Sequence, residues 1–296
     1  MKKIILTSVL FATVVASFAQ EEKKEAPKSP WTKGLKTTAT FTQTSLTNWA
    51  AGGQNSLALS LYAKAFANLK KDKHSWSNSL EVGFGFLDQE NTGLRKSDDK
   101  IDAITQYNRA FNNEKLSFST FMNFKSQFAK GFTFDDNNEK TAIISQFAAP
   151  AYLFVTIGLE YKPIDYFSVY FSPLTNKNTI VASDTIDETS YGLEDGSSWR
   201  FEAGTFLKLN FNKEVVKNVN WESKAEFFTN YVENFGDIDV NWENAIVMKI
   251  NKYLSANLLT QLIYDKDIDF VDSEGNIGAP RVQFKQVFGL GFSYTM

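Results

Sequence analysis

One histidine, no cysteine and a row of carboxylates near the C-terminal end bound the chemistry open to this 296-residue chain. An activated serine or a general-base reaction usually needs a histidine beside Ser or Asp. The single candidate, His74, follows the tight turn Lys70-Lys71-Asp72-Lys73, on the expected periplasmic side and away from the outer leaflet where such sites work. Lack of cysteine removes thiol catalysis and thiolate metal sites. The stretch Asp265-x-Asp267-x-Asp269-x-x-Asp272-x-Glu274-Gly275 sets oxygen ligands at spacings that suit a hard cation such as Ca²⁺. A helix-loop-helix calcium site needs glycine sixth in its loop, and Phe270 stands there, so the stretch reads as a solvated loop. No carboxylate pair is singled out by spacing. The expectation is a non-enzyme without metal or cofactor.

Two other patterns could bind. In Asn48-Trp49-Ala50-Ala51-Gly52-Gly53-Gln54-Asn55 the glycine pair permits positive φ and frees amides for a turn or a ligand. Trp49 there would either stack on a sugar-like ligand or anchor a capped hairpin at an interface. The second pattern is a set of charges spaced among apolar residues: Lys64, Glu81, Lys125, Glu160, Arg200, Glu202, Lys208, Glu222, Lys224, Glu226, Glu243 and Lys249, with Lys285 near the end.

The elements that must position these charges are β-strands. Leu57, Leu59, Leu61, Ala63, Ala65, Ala67 and Leu69 alternate with Ser56, Ala58, Ser60, Tyr62, Lys64, Phe66 and Asn68. A period of two puts one row on each face of a strand. Leu153, Val155, Ile157 and Leu159, then Phe201, Ala203, Leu207 and Leu209, then Ile246, Met248 and Ile250 form similar rows. If these rows face lipid, the charges must face inward, because a Lys or Arg on the lipid face costs roughly 2–4 kcal/mol at mid-bilayer. Facing one another in a narrow lumen, charges of both signs would pair. Tyr62, Phe66, Phe121, Phe154, Tyr170, Phe206 and Phe228 point the same way and would narrow any pore.

The segmentation predicts about twelve strands: 35–45, 56–69, 76–86, 101–110, 116–128, 152–161, 166–173, 199–211, 219–231, 240–250, 254–264 and 283–294. Connectors after even-numbered strands, at Lys70, Asn112, Lys162, Asn212 and Asn251, are short. Those after odd-numbered strands, 47–55, 87–100, 129–150, 175–198 and 265–281, are long; only the one around Gly236 is brief. Sorting by parity is what an outer-membrane barrel does, with short turns at one end and long loops at the other. The fold expected is all-β, a single antiparallel transmembrane barrel. Pro173 in Ser172-Pro173-Leu174-Thr175 removes a ladder donor and predicts a bulge or rim, with Lys177 beyond it in reach of an acidic lumen residue.

Composition agrees. Phe, Tyr and Trp number 27, 11 and 6, which suits aromatic belts at a membrane surface. Met1-Lys2-Lys3, the apolar run Ile4–Ala16 and Ser17-Phe18-Ala19 read as a secretory signal peptide, residues 1–19, cut before Gln20. Residues 20–30 read as a short charged periplasmic leader and 31–296 as the barrel. No cysteine follows for a lipid anchor. Losing Lys2 and Lys3 moves the formal charge from −3 to −5, which argues against a nucleic-acid partner.

Three stretches carry a family resemblance: Gln43-x-Ser45-Leu46-x-Asn48-Trp49-x-x-Gly52-Gly53-x-Asn55, Ser172-Pro173-Leu174-Thr175-x-Lys177-x-Thr179, and Asn251-Lys252-Tyr253-Leu254-Ser255-Ala256. Together they resemble an uncharacterised β-barrel family of Bacteroidota, catalogued only as a domain of unknown function. The resemblance implies an outer-membrane barrel and brings no reaction or catalytic residue. The expected location is the cell outer membrane. The expected partners are its lipid, the barrel-assembly machinery that reads a C-terminal strand such as the one ending on Phe292 and Tyr294, and envelope proteins or a small solute. Two functions stay open: a narrow channel for small solutes, and a closed barrel with a structural or binding role through its outer loops.

Overall fold

The computed structural model describes residues 29–45, 55–90, 92–135, 137–233, 235–268, 270–271 and 277–295. The expected signal peptide, most of the expected leader, the loop residues Asn48, Trp49, Gly52 and Gly53, and the carboxylates Asp269, Asp272 and Glu274 lie outside them.

Twelve long strands form the barrel: β1 (Trp31–Thr44), β2 (Ser56–Lys71), β3 (His74–Gln89), β4 (Gly93–Ala110), β5 (Leu116–Ser126), β8 (Ala151–Ile164), β9 (Phe167–Ile180), β10 (Trp199–Val216), β11 (Val219–Asn230), β12 (Asp239–Lys249), β13 (Leu254–Tyr264) and β16 (Gln283–Thr295). Two small hairpins decorate the loops, β6 (Gly131–Phe134) with β7 (Lys140–Ser145) and β14 (Phe270–Val271) with β15 (Ile277–Gly278). Every barrel strand pairs antiparallel with its neighbour, and β1 pairs with β16 to close the ring. The shortest barrel strands, β5, β12 and β13, have 11 residues, enough to cross a bilayer when tilted.

Alternation sorts the faces as the sequence predicts. Val155, Ile157, Leu159, Phe201 and Ile250 are exposed on the outside, with Leu35, Phe41, Leu61, Leu80 and Phe84. A soluble sheet would bury such a surface; a bilayer covers it. Aromatic rings gather near the turn end, where Trp31 lies 5.8 Å from Trp76 and Phe211 packs 5.9 Å from Tyr166 and 5.0 Å from Trp221. Rings with an apolar body and a polar edge favour the headgroup level.

One expected loop turns out to be largely strand, and a second gives up its first six residues to one. Residues 87–100 shrink to a connector of 90–92, because Asp98 and Lys100 face inward and find partners. Residues 175–198 lose their first part to β9, whose Thr175, Lys177 and Thr179 are buried on the inner face. Charged and polar residues look like loop in a sequence, but a paired lumen is a polar interior. Pro173 sits at the predicted bulge: the β8–β9 and β9–β10 registers both shift beside it. Gly158 makes this bulge possible, since a Cβ there would lie 2.1 Å from the Phe171 carbonyl oxygen.

The long loops carry a second, smaller core. Ala149, Val181, Ile186 and Leu193 bury one another, with Ile143 and Tyr191 against them. The Tyr191 hydroxyl donates to the Ile144 carbonyl (2.5 Å) and the Ala182 amide to the Ala148 carbonyl (2.9 Å). Loops 127–150 and 181–198 thereby form one ordered cap.

Candidate functional site: the charged lumen and the outer face

The inward rows converge on the barrel axis and meet there. Lys100 on β4 approaches Glu243 on β12 to 3.1 Å, although the two strands stand six places apart around the twelve-strand ring. Lys125 on β5 binds Glu226 on β11 (2.5 Å), and Lys224 on β11 reaches Asp102 on β4 (3.5 Å). Lys64 lies 3.7 Å from both Glu81 and Glu222, linking β2 to β3 and to β11. Lys100 also pairs with Glu81 (3.2 Å), and Lys224 with Glu226 and Glu243. Every charge in this lattice faces an opposite one, which is the condition for tolerating buried charge.

Beside the lattice lies an aromatic cluster. Phe121, Tyr170, Phe206 and Phe228 are buried, with Phe154 packed against them. Phe121 stacks on Phe206 at 5.8 Å, and the Tyr170 hydroxyl shares a hydrogen bond with Thr156 (2.5 Å). Gly204 leaves room for the Phe228 ring, which a Cβ there would meet at 2.6 Å. Lys208, 4 % exposed, lies 4.0 Å from the centroid of the Phe121 ring and donates to the Gln106 amide oxygen (3.3 Å). A cation over an aromatic face is stabilised by the ring quadrupole, the more so when water is excluded. Glu160 lies nearby and accepts from the Asn108 amide (2.9 Å).

A third group lies at the outer end. Lys177, 4 % exposed, is held by Asp239 (2.7 Å), Asp265 (3.2 Å) and Glu202 (3.4 Å). Arg200 pairs with Asp267 and Glu233 (2.9 Å each) and Glu202 (3.6 Å). Asp265 and Asp267, candidates for a cation site in the sequence, thus have lysine and arginine as counter-ions. Across the barrel Lys285 pairs with Asp98 (2.9 Å), which also accepts from the Tyr62 hydroxyl.

Eleven of the twelve lumen candidates fall into these three groups: Lys64, Glu81, Lys125, Glu222, Lys224, Glu226 and Glu243 in the lattice, Lys208 and Glu160 by the aromatic cluster, and Arg200 and Glu202 at the outer end. Lys249 stays apart, exposed at the turn end of β12 and making no ion pair among the described residues. Of the loop candidates only Asn55 is described; its amide donates to Glu90 (2.9 Å) and ties β2 to β3. Asp98, Lys100 and Asp102 were missed among the lumen residues because they fall in or beside an expected loop. Their alternation, Asp98-x-Lys100-x-Asp102, is the period-two signal that locates them.

The two ends differ in charge. The outer connectors 90–92, 127–150, 181–198, 231–238 and 265–282 hold sixteen Asp or Glu against four Lys or Arg. The turns 70–73, 111–115, 162–166, 212–218 and 250–253 hold eight Lys against four Asp or Glu. In the cap, Asp187 accepts from the Thr189 hydroxyl (2.6 Å) and amide (3.0 Å), which holds its carboxyl below the usual range. Burial pushes the Tyr191 hydroxyl up to about 12.

Comparison with known proteins adds a family and a set of barrels. Residues 41–132 match the model of a family described as a protein of unknown function, DUF3078. The match supports the resemblance at its first stretch; the stretches around Ser172 and Asn251 lie beyond it. No curated protein sequence matches. Among solved structures, the chain is similar to the translocator domain of the autotransporter NalP from Neisseria meningitidis, with 10 % identity, 98 % of this chain and 95 % of that one covered, and a TM-score of 0.35. It is similar to OmpT of Vibrio cholerae, an outer membrane protein, at 9 % identity, 90 % and 97 % coverage and 0.35. The toluene transporter TodX of Pseudomonas putida follows at 8 %, 91 %, 90 % and 0.29.

Proposed function

We propose that this chain is an outer-membrane protein whose barrel is closed, and that it works as a structural or binding element through its acidic outer face. One observation carries the reading: the side chains of Lys100 and Glu243, from opposite walls, meet at 3.1 Å on the axis. A lumen that narrow, with Phe121, Tyr170, Phe206 and Phe228 buried beside the lattice, favours the closed alternative over the channel for small solutes. The outer cap supports a binding role, because loops with their own core hold a fixed surface at low entropic cost. Its excess of carboxylates selects for cationic ligands or for envelope proteins with a basic surface. The reading includes no enzymatic step. The barrel-assembly machinery and outer-membrane lipid are the remaining partners proposed.

Planar-bilayer recording on the purified mature protein tests this. The expected result is a silent bilayer from protein that still shows heat-modifiable migration. Discrete current steps whose ion selectivity shifts in Lys125→Glu would refute the closed barrel and restore the channel.

A further inference from the structure

The outer wall of the barrel is not uniformly smooth. On β1 and β2, Ala39 and Ala63 face outward where other strands place Leu or Phe, and between them and Leu61, Val82, Phe84 and Phe292 lies an apolar groove of about 680 Å³. The groove crosses the closure of the barrel. There β1 and β16 pair over six residues, Lys36–Phe41 with Leu290–Thr295, whereas each of the other eleven ladders has at least ten pairs. One end of the groove is Tyr253, in the turn between β12 and β13. Beside that ring, 4.7 Å from its centroid, stands the Lys252 ammonium. The groove runs across the strands from Phe128, just after β5, to Tyr253 and the Lys252 cation at the turn end, which carries an excess of lysine.

We infer that this groove is a binding site for an anionic phospholipid: one acyl chain lies over Ala39 and Ala63, and the headgroup phosphate meets Lys252. The inference rests on the membrane embedding proposed above. Apolar surface at this depth contacts lipid in any case; the recess and the cation at its end make one lipid preferred. An acyl chain seated there also covers the shortest ladder of the sheet, where lipid would otherwise face a sparsely paired edge. One lysine beside a phosphate at a membrane surface gives about a fivefold preference for a net-anionic headgroup.

Native mass spectrometry on the detergent-purified protein, incubated with equal amounts of dioleoyl phosphatidylglycerol and dioleoyl phosphatidylcholine, reads this directly. The expected spectrum shows one phosphatidylglycerol retained by the wild-type chain. It should be lost at least tenfold from Ala39→Leu/Ala63→Leu, which fills the groove, and at least fivefold from Lys252→Glu. Heat-modifiable migration should remain in all three. Equal retention by the groove-filled variant would overturn the site, even if the lysine variant lost its lipid. So would a wild-type chain that keeps neither lipid or keeps both equally. A chain that fails to insert into vesicles would instead defeat the membrane reading, and the site with it.

Discussion

Replacing Lys177 by methionine should damage the outer end of the barrel more than any other single change of charge. The lysine is 4 % exposed, and its ammonium lies 2.7, 3.2 and 3.4 Å from three carboxylates on β12, the loop after β13 and β10. At an effective dielectric of 20, one unit pair at 3 Å is worth about 5 kcal/mol. Mutual repulsion of the carboxylates and the desolvation of all four groups offset most of that sum. What the substitution leaves is a cluster of negative groups with no central cation, and breaking a buried pair in this way costs about 3–5 kcal/mol. Methionine keeps most of the volume, so packing contributes little to the loss. The assay is urea unfolding in detergent micelles, followed by tryptophan fluorescence, for the wild type, Lys177→Met, and Lys177→Met/Asp239→Asn/Glu202→Gln. The single variant should lose about 3–5 kcal/mol, and the triple variant should recover more than half of it, because neutral partners no longer repel. A single variant within about 1 kcal/mol of wild type would refute the reasoning, since that is the range of a solvent-exposed pair. A triple variant no better than the single one would also do so.

Three further outcomes follow from the same geometry. Phe206→Ala removes the ring at the centre of the aromatic cluster and should cost about 3–5 kcal/mol in the same unfolding assay, with the bilayer still silent because the ion lattice still spans the lumen. Gly158→Ala drives a methyl into the Phe171 carbonyl; the expected result is a sharp fall in the heat-modifiable fraction after refolding, and normal yield would discount the bulge as a fixed feature. Asp187→Ala removes the acceptor for Thr189 at the start of the turn Glu188–Tyr191, so amide exchange in 181–198 should quicken while the barrel strands stay protected. Because the Asp187 carboxyl titrates below its usual range when the cap is folded, its contribution is present above the unfolded value and fades as pH falls through the folded one. Exchange in the cap should therefore quicken toward low pH in the wild type and show less pH dependence in the variant.

How much of this was legible before folding depends on the kind of signal. The period of two in Leu57–Leu69 or Leu153–Leu159 is a local property, and a strand has no other way to sort its faces. Parity of connector length gave the barrel, and the charges among apolar rows gave the lumen. Pro173 announced a bulge because its missing amide donor cannot serve in a regular ladder. Where polarity itself was taken as the mark of a loop, at Asp98–Lys100 and Thr175–Thr179, the reading failed: water and a paired lumen both accept charge, and only the neighbouring strands tell them apart.

The sequence by itself determined the strands, their number, the sorting of faces and the residues available to the interior. Those follow from backbone geometry and from the cost of charge in lipid. Tertiary structure alone decided which charge meets which. Lys100 and Glu243 are 143 residues apart, and the tilt and stagger that bring β4 opposite β12 belong to the closed ring, not to either strand. The same holds for Lys177, whose three carboxylates come from three separate elements. Whether a lumen of mixed charge is open or filled depends on those cross-barrel distances, and no local pattern encodes them.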